Sequence, residues 1–145
     1  MHPFPHRYRV EGAGKLEGGV TVSRPGLSPI ATAPPAEFGG PGDQWSPETL
    51  LVAAAVDCFI LGFRAIAEAS KLPWSHLSCS AEGTVDRVDG TTRFTALALN
   101  AELTVPAGAN IERAKRLLEK AERACLVTNS LALQPTLTCR VAVES

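Results

Sequence analysis

The chain contains four cysteines, at positions 58, 79, 125 and 139, and their thiols are its most reactive side chains. No two of them form a Cys-x-x-Cys pair. No cysteine has a ligand-like spacing to any of the three histidines His2, His6 and His76. We therefore predict no zinc or other metal site, and any chemistry of the thiols would be nucleophilic or redox chemistry without a metal.

Two of the thiols are expected to be structural. Cys79 lies in LSCSAEG and Cys139 in TLTCRVA, and each alternates with polar residues as in a strand. A free cysteine in such a position commonly packs as a small hydrophobic residue. We interpret Cys79 and Cys139 as buried or half-buried strand residues.

Cys58 lies in the apolar helical stretch SPETLLVAAAVDCFILGF, and taken alone it could equally be a core residue. Its amide is inside the helix, so the helix dipole cannot activate it, and burial would raise its pKa. Cys125 differs because ACLVTNSLAL restarts as a helical turn, and a helix N-terminus lowers the pKa of a thiol. Spacing alone leaves open whether the two thiols form a redox pair.

The elements that must position these thiols follow the order β-β-loop-α-β-β-α-α-β, which predicts an α+β fold because hairpins join neighbouring strands. We predict a single domain over residues 1–145. It comprises an N-terminal hairpin and loop (1–45, with strands at 6–11 and 18–24 and a loop from 25), a central helix (46–71), a second hairpin (76–105), two helices (110–133) and a final strand (136–143).

The central helix begins with strong signals. Ser46 is a good N-cap, Pro47 suits the first helical position, and Glu48 adds an anion to the first turn. Its first five turns are apolar on nearly every face, so the helix must be covered from all sides. A domain of this size covers such a helix poorly on its own, and a second subunit would help.

Composition narrows the class of protein. The chain has 145 residues, of which 45% are hydrophobic and 20% charged, with a formal net charge of -1. This is typical of a soluble globular protein and gives no basic patch for nucleic acid.

The N-terminus lacks the apolar segment of a signal peptide, so we expect a cytoplasmic location. The run from Leu50 to Ile66 is shorter than a bilayer span of about 20 residues.

Three segments together resemble the OsmC/Ohr family of thiol peroxidases: EFGGPG, SPETLLVAAAVDCF and ERACLVTNSL. The family pattern has a Pro-Glu-x-Leu helix start, a cysteine ten residues after the glutamate, and a second cysteine in a Cys-x-Val-Ser-type turn, here Cys125-Leu-Val-Thr128. The resemblance implies an OsmC-like fold and an intertwined homodimer whose sheets wrap around two central helices.

The resemblance also implies an activity in oxidative-stress defence. Cys58, as the thiolate, would reduce an organic hydroperoxide or hydrogen peroxide and become a sulfenic acid, and Cys125 would then form a disulfide with it. An external dithiol, often a lipoyl group in the family, would restore both thiols. No cofactor, nucleic acid or membrane partner is implied.

Glu48 matches the family carboxylate that orients an arginine beside the reactive thiolate. The family arginine is missing here: Lys15 occupies the nearest position, and Arg24 is the other candidate. Ten residues of straight helix separate Glu48 from Cys58 by about 15 Å, so a bend or the partner's Glu48 would have to complete the site. Asp57 departs from the small residue that is typical before the cysteine.

Three aromatic residues, Phe38, Phe59 and Phe63, could line an apolar pocket for organic peroxides or could belong to the core. Two other functions stay open. The chain could be an OsmC-like dimer with little peroxidase turnover that binds a small apolar or thiol-containing ligand, which Lys15 and Asp57 favour. It could also be a structural or regulatory protein in which Cys58 is merely core.

Overall fold

The central helix α1 spans Pro47–Ala69 and begins where the sequence signals place it. The Ser46 hydroxyl accepts a hydrogen bond from the Thr49 amide at 3.1 Å, and the Ser46 amide donates to the Thr49 hydroxyl at 2.9 Å. These reciprocal bonds satisfy free amides of the first turn. The helix ends two residues before the predicted boundary of 71, because Lys71 adopts a left-handed backbone conformation with φ of 56°.

The chain is described here by a computed structural model that covers residues 1–145. Its contacts divide it into two compact units, Met1–Leu51 and Val52–Ser145. The first unit holds a three-stranded antiparallel sheet of β1 (Glu11–Gly14), β2 (Val20–Ser23) and β3 (Ile30–Thr32), followed by a short 3-10 helix (Ala36–Phe38).

The N-terminal prediction is wrong in two respects. The first strand covers residues 11–14 rather than 6–11, because β2 ends at Ser23 and its last partner on β1 is Glu11. The segment from residue 25, predicted as loop, contains β3, which pairs with the free edge of β2 from Val20↔Thr32 to Val22↔Ile30. Prolines around this short strand hide its pattern in the sequence.

The second unit is built on a sheet in the order β4-β5-β6. Strands β4 (His76–Val88) and β5 (Thr91–Val105) form an antiparallel hairpin over the predicted range. Its turn contains Asp89 at φ 50° and Gly90 at φ 78°, the positive angles that an Asp-Gly hairpin turn requires. Strand β6 (Thr136–Val143), at its predicted position, lies parallel to β5.

Two helices connect β5 to β6. Helix α2 (Ile111–Arg123) is capped by Asn110, whose side chain accepts a hydrogen bond from the Arg113 amide at 3.0 Å. Helix α3 is a single turn, Leu126–Asn129. The helical region therefore ends at residue 129 and not at the predicted 133, since residues 131–133 form bends rather than a further turn.

The core of the second unit lies between this sheet and the helices. It is formed by buried side chains from α1, α2, β4 and β5, including Phe59, Phe63, Leu77, Leu103 and Leu118. The Phe63 ring meets Trp74 edge to face, with the ring centroids 5.4 Å apart. The α+β fold class predicted from the sequence is confirmed.

Helix α1 remains largely uncovered within the chain. The helix is long and apolar enough to cross a membrane, but the core helix of a soluble protein also meets that criterion. Only 22% of its apolar 18-residue segment is buried inside the chain. The expectation that one chain covers this helix poorly agrees with that exposure.

Candidate active site

Cys58 occupies the middle of α1 and is partly buried. Burial raises the pKa of its thiol above the ordinary value of 9.0. The Val127 amide opposes this by hydrogen bonding to the sulfur, the Cys125 side chain raises the pKa further, and the Leu126 amide lowers it slightly. Cys58 therefore lies near enough to the Cys125 side chain and to two backbone amides at the start of α3 for each of them to affect its pKa.

Cys125 is the N-cap of α3, and only 4% of its surface is exposed. Its carbonyl oxygen accepts a hydrogen bond from the Asn129 amide at 2.9 Å and another from the Thr128 hydroxyl at 3.3 Å. Its own amide donates to the Glu122 carbonyl at 3.2 Å, at the end of α2. The backbone on both sides of Cys125 is therefore held in place.

Both thiols are free in this structure. Because the two side chains are neighbours, oxidation of one sulfur would place an electrophile near the other. Cys58 is the more exposed member, whereas Cys125 is almost completely covered. A reagent from solvent therefore has better access to Cys58 than to Cys125.

Thr128, the last residue of the Cys-x-Val-Ser-type turn, is a functional candidate to which the sequence analysis gave no role of its own. It is 2% exposed and is one of three buried polar residues in the chain. Its hydroxyl bonds the carbonyl of the residue three positions earlier, which is Cys125. The available signal was a hydroxyl residue at the third helical position after an N-cap cysteine.

Glu48 lies in the first turn of α1, in the first unit. Its Oε1 atom is buried and has no hydrogen-bond partner. Lys15 and Arg24 are exposed, and neither belongs to any of the three ion pairs in the chain, Arg9–Glu11, Glu112–Lys115 and Glu102–Arg140. One chain therefore supplies the predicted carboxylate but brings no cation to it.

The three aromatic residues fall into two groups. Phe59 and Phe63 are completely buried in the core of the second unit, whereas Phe38 is 61% exposed in the first unit. Within one chain the two buried rings act as core residues. A pocket role for the three stays a prediction.

The remaining thiols belong to the sheet. Cys79 on β4 and Cys139 on β6 both face Ala101 of the central strand β5. Burial raises the pKa of Cys79 to about 11. Burial also raises the pKa of Cys139, helped by Glu119 and opposed by Lys115. No group of three or more His, Cys, Asp or Glu side chains is close enough to hold a metal ion.

Comparison with known proteins gives consistent results. The family model for OsmC-like proteins matches residues 40–140, which include both cysteines of the pair. The Bacillus subtilis protein YmaD, whose function is uncharacterised, is 27% identical over 113 residues, covering 76% of this chain and 75% of YmaD.

Solved structures share the fold over nearly the whole chain. An OsmC-like protein of unknown function from Vibrio cholerae superposes with a TM-score of 0.85 at 16% identity, covering 94% of this chain and all (100%) of that one. An organic hydroperoxide resistance protein from Legionella pneumophila gives a TM-score of 0.75 at 25% identity, covering 97% of this chain and 100% of that one.

Proposed function

The chain belongs to the OsmC-like protein family, and from this premise we propose that it is a homodimeric, cysteine-based peroxidase that reduces organic hydroperoxides. The observation that carries the proposal is the proximity of the Cys58 and Cys125 side chains, which is close enough for Cys125 to raise the pKa of the Cys58 thiol. The relative from Legionella pneumophila, which is described as an organic hydroperoxide resistance protein, supports the choice of substrate class.

The proposed cycle balances with two thiols and one external dithiol. The Cys58 thiolate attacks the distal oxygen of the hydroperoxide, the O–O bond breaks, and the alkoxide leaves as an alcohol after taking a proton. Cys58 is then a sulfenic acid. The Cys125 thiol attacks that sulfur, water leaves, and a Cys58–Cys125 disulfide forms. A dithiol such as a lipoyl group reduces the disulfide by exchange and becomes oxidised itself.

The order of the two thiols follows from their surroundings. Cys58 is the more accessible to a peroxide, while Cys125 is nearly buried and anchored on both sides by backbone hydrogen bonds. The second thiol reacts with the sulfenic acid beside it, so it does not have to be accessible to a peroxide from solvent. We therefore assign Cys58 the peroxidatic role and Cys125 the resolving role.

Glu48 has a supporting role in the proposal. A buried carboxylate oxygen without a partner is costly, and a cation placed against it would remove that cost. We propose that Lys15, or Arg24 in its place, supplies this cation in the assembled dimer and lies between a Glu48 and a Cys58. Because α1 is one continuous helix from Pro47 to Ala69, the carboxylate would come from Glu48 of the partner subunit.

A cytoplasmic location is part of the same proposal. All four cysteines are free, and a dithiol-driven cycle needs a reducing compartment.

The experiment that tests the function is steady-state reduction of cumene hydroperoxide with dihydrolipoamide as electron donor. Cys58→Ser should abolish turnover. Cys125→Ser should remove nearly all turnover but leave one stoichiometric peroxide reduction per subunit. Cys79→Ser is the matched control, because it removes a sheet thiol that has no second thiol in contact with it, and it should retain wild-type turnover.

One observation favours the alternative, an OsmC-like dimer that binds a small apolar or thiol-containing ligand and turns over little peroxide. Lys15 is exposed and the Glu48 carboxylate has no cation within the chain. Under this alternative the wild type would show no more turnover than Cys58→Ser. A small thiol would instead protect Cys58 from alkylation without being consumed.

A further inference from the structure

The outer face of the sheet β4-β5-β6 carries a concave patch of polar side chains. Along each strand the residues alternate between the buried face, where Leu77, Ala101 and Leu103 belong to the core, and the opposite, outer face. A cavity of about 350 Å³ lies on the outer face, and this volume is within the range of small-molecule sites. Its polar lining consists of Ser78, Ser80, Asn100, Glu102, Thr138 and Arg140.

Strand pairing arranges these six side chains in two rows across the sheet. Asn100 on β5 is the centre of one row, between the lining serine of β4 and the lining threonine of β6 that pair with it. Glu102, two residues further along β5, is the centre of the second row, between Ser78 and Arg140. Residues that pair directly across strands have neighbouring side chains, and residues two apart share a face. The six polar groups therefore form one continuous patch.

These side chains keep their capacity to bind a ligand. None of the six donates or accepts a hydrogen bond through its side chain within the chain. The two charged members form an ion pair, with Glu102 Oε1 and Arg140 Nη1 3.9 Å apart. This distance exceeds that of a hydrogen bond, and both side chains are mostly exposed, so the pair contributes little to stability. A ligand can therefore engage both charges at small cost.

An acid and a base side by side match a ligand that itself carries both charges. A free α-amino acid has its ammonium and its carboxylate on the same carbon, so one small molecule can offer the carboxylate to Arg140 and the ammonium to Glu102. A guanidinium can hold a carboxylate through two parallel hydrogen bonds, and hydrogen bonds between ionised groups are the stronger class. The Asn100 amide and the neighbouring hydroxyls both donate and accept, so they can bind a polar side chain of the ligand.

We propose that the cavity on the outer face of β4, β5 and β6 binds a small zwitterion, namely a free α-amino acid with a polar side chain. Arg140 binds its carboxylate, Glu102 binds its ammonium, and Asn100 binds its side chain. The site lies on the face of the sheet opposite to the core, and it involves neither Cys58 nor Cys125. The inference is therefore independent of the proposed peroxidase activity.

Other classes of ligand fit the cavity less well. Phosphate or another simple anion would face the Glu102 carboxylate, and a metal cation would face the Arg140 guanidinium, and like charges close together are destabilising. No aromatic side chain lines the cavity, so a sugar would find hydrogen-bonding partners but no ring on which to stack. A ligand with both charges is the class that uses both charged side chains.

Small probes that differ in charge test the class of ligand. The isotope-labelled full chain is titrated with L-serine, ethanolamine, glycolate and glycerol, and backbone amide shifts are followed by NMR. L-Serine should shift the amides of the lining residues saturably, and it should bind about fivefold or more tightly than ethanolamine or glycolate, each of which lacks one of the two charges. Glycerol, which has hydroxyls alone, should cause no saturable shift. If any of these three binds as tightly as L-serine, or if L-serine causes no saturable shift on these strands, the inference is overturned.

Neutral variants test the two charged side chains separately. Glu102→Gln should bind L-serine no better than glycolate, because the partner of the ammonium is gone. Arg140→Gln should bind L-serine no better than ethanolamine, because the partner of the carboxylate is gone. Lys115→Gln breaks the other exposed ion pair of this unit, with Glu112 at 4.0 Å, and as the matched control it should bind L-serine like the wild type.

The outcome is decided even if a variant folds poorly. An unchanged Leu103 amide shift, from the buried face of β5, would show that a variant keeps the fold of the sheet. If a variant does not fold, the probe series on the wild type decides alone. If both folded variants keep the wild-type preference for L-serine over the other probes, the proposed site is wrong.

Discussion

At the scale of single residues, the two paired cysteines differ in what surrounds them rather than in their own chemistry. Cys58 is partly buried in a helix whose interior amides are already bonded. The amides that lower the pKa of its thiol are therefore those of Val127 and Leu126 in α3. Cys125 is nearly buried at a helix start, with its carbonyl bonded twice. This contrast supports the proposal that Cys58 meets the peroxide and that Cys125 closes the disulfide.

Thr128 is expected to act as a positioning residue for the second step. Thr128→Val removes the hydroxyl bond to the Cys125 carbonyl, worth about 1 kcal/mol, and should slow disulfide formation by about fivefold. Quenched-flow mass analysis would separate the steps, and Cys58 oxidation should keep its rate. Thr128→Ser retains the hydroxyl and should restore the wild-type rate. Equal slowing of both steps in Thr128→Val would contradict this role.

The pH dependence of Cys58 follows from its burial. Since burial raises its pKa above 9.0 and the thiolate is the reactive form, its alkylation rate should still be rising with pH at pH 9. Iodoacetamide labelling with peptide mapping measures this. Cys125→Ser removes the charge contribution of the neighbouring sulfur and should move the profile to lower pH. A profile that levels off well below pH 9 would contradict this prediction and show that the cation proposed beside Cys58 in the assembled dimer outweighs burial at this thiol.

At the scale of elements, the positions of helices and strands are predicted best where the element is long. Strands β4 and β5 and helix α2 have more than ten residues each, and their alternation or helical periodicity is visible without a structure. Pro135 marks the start of strand β6. Strands β1 and β3 have only four and three residues, and their positions depend on pairing with β2, which no local pattern encodes.

Gly83 on β4 is required by close packing. A Cβ at this position would lie 2.7 Å from a Phe94 ring carbon and 2.9 Å from a Val52 methyl carbon. Gly83→Ala should therefore lower the free energy of unfolding by about 1–3 kcal/mol, as measured by urea denaturation. Gly12→Ala on β1, where the nearest atom is at 4.0 Å, is the matched strand control and should cost less. Equal effects would show that the packing at Gly83 relaxes freely.

The sheet should also lose stability at alkaline pH. Burial raises the pKa of Cys79 from 9.0 to about 11, so between these values the unfolded chain releases a proton that the folded chain retains. The unfolded state then binds fewer protons, and the free energy of unfolding falls as pH rises. Reduced Cys79→Ala should lose less stability than the wild type between pH 8.5 and about 10.5, by urea denaturation. An identical pH dependence in both proteins would contradict the prediction.

At the scale of the whole molecule, one chain holds the thiol pair but leaves two features unfinished. Most of the apolar part of α1 is uncovered, and a buried Glu48 oxygen lacks a partner. Both are features that a second subunit would complete. The sequence could indicate the thiol pair only through resemblance, because the contact joins α1 to the start of α3 across a long stretch of chain. The sequence could not identify the residue that provides the cation, because neither Lys15 nor Arg24 matches the arginine of the family pattern.

The central claim is that Cys58 and Cys125 act as one redox pair, and its most direct test is the mass of the protein after oxidation. Reduced wild type and Cys125→Ser are treated with one equivalent of cumene hydroperoxide, alkylated under denaturing conditions, and mapped. The account predicts a Cys58–Cys125 disulfide in the wild type and an oxidised, unbridged Cys58 in Cys125→Ser, with Cys79 and Cys139 fully alkylated. If Cys58 and Cys125 stay fully alkylatable, the claim is contradicted.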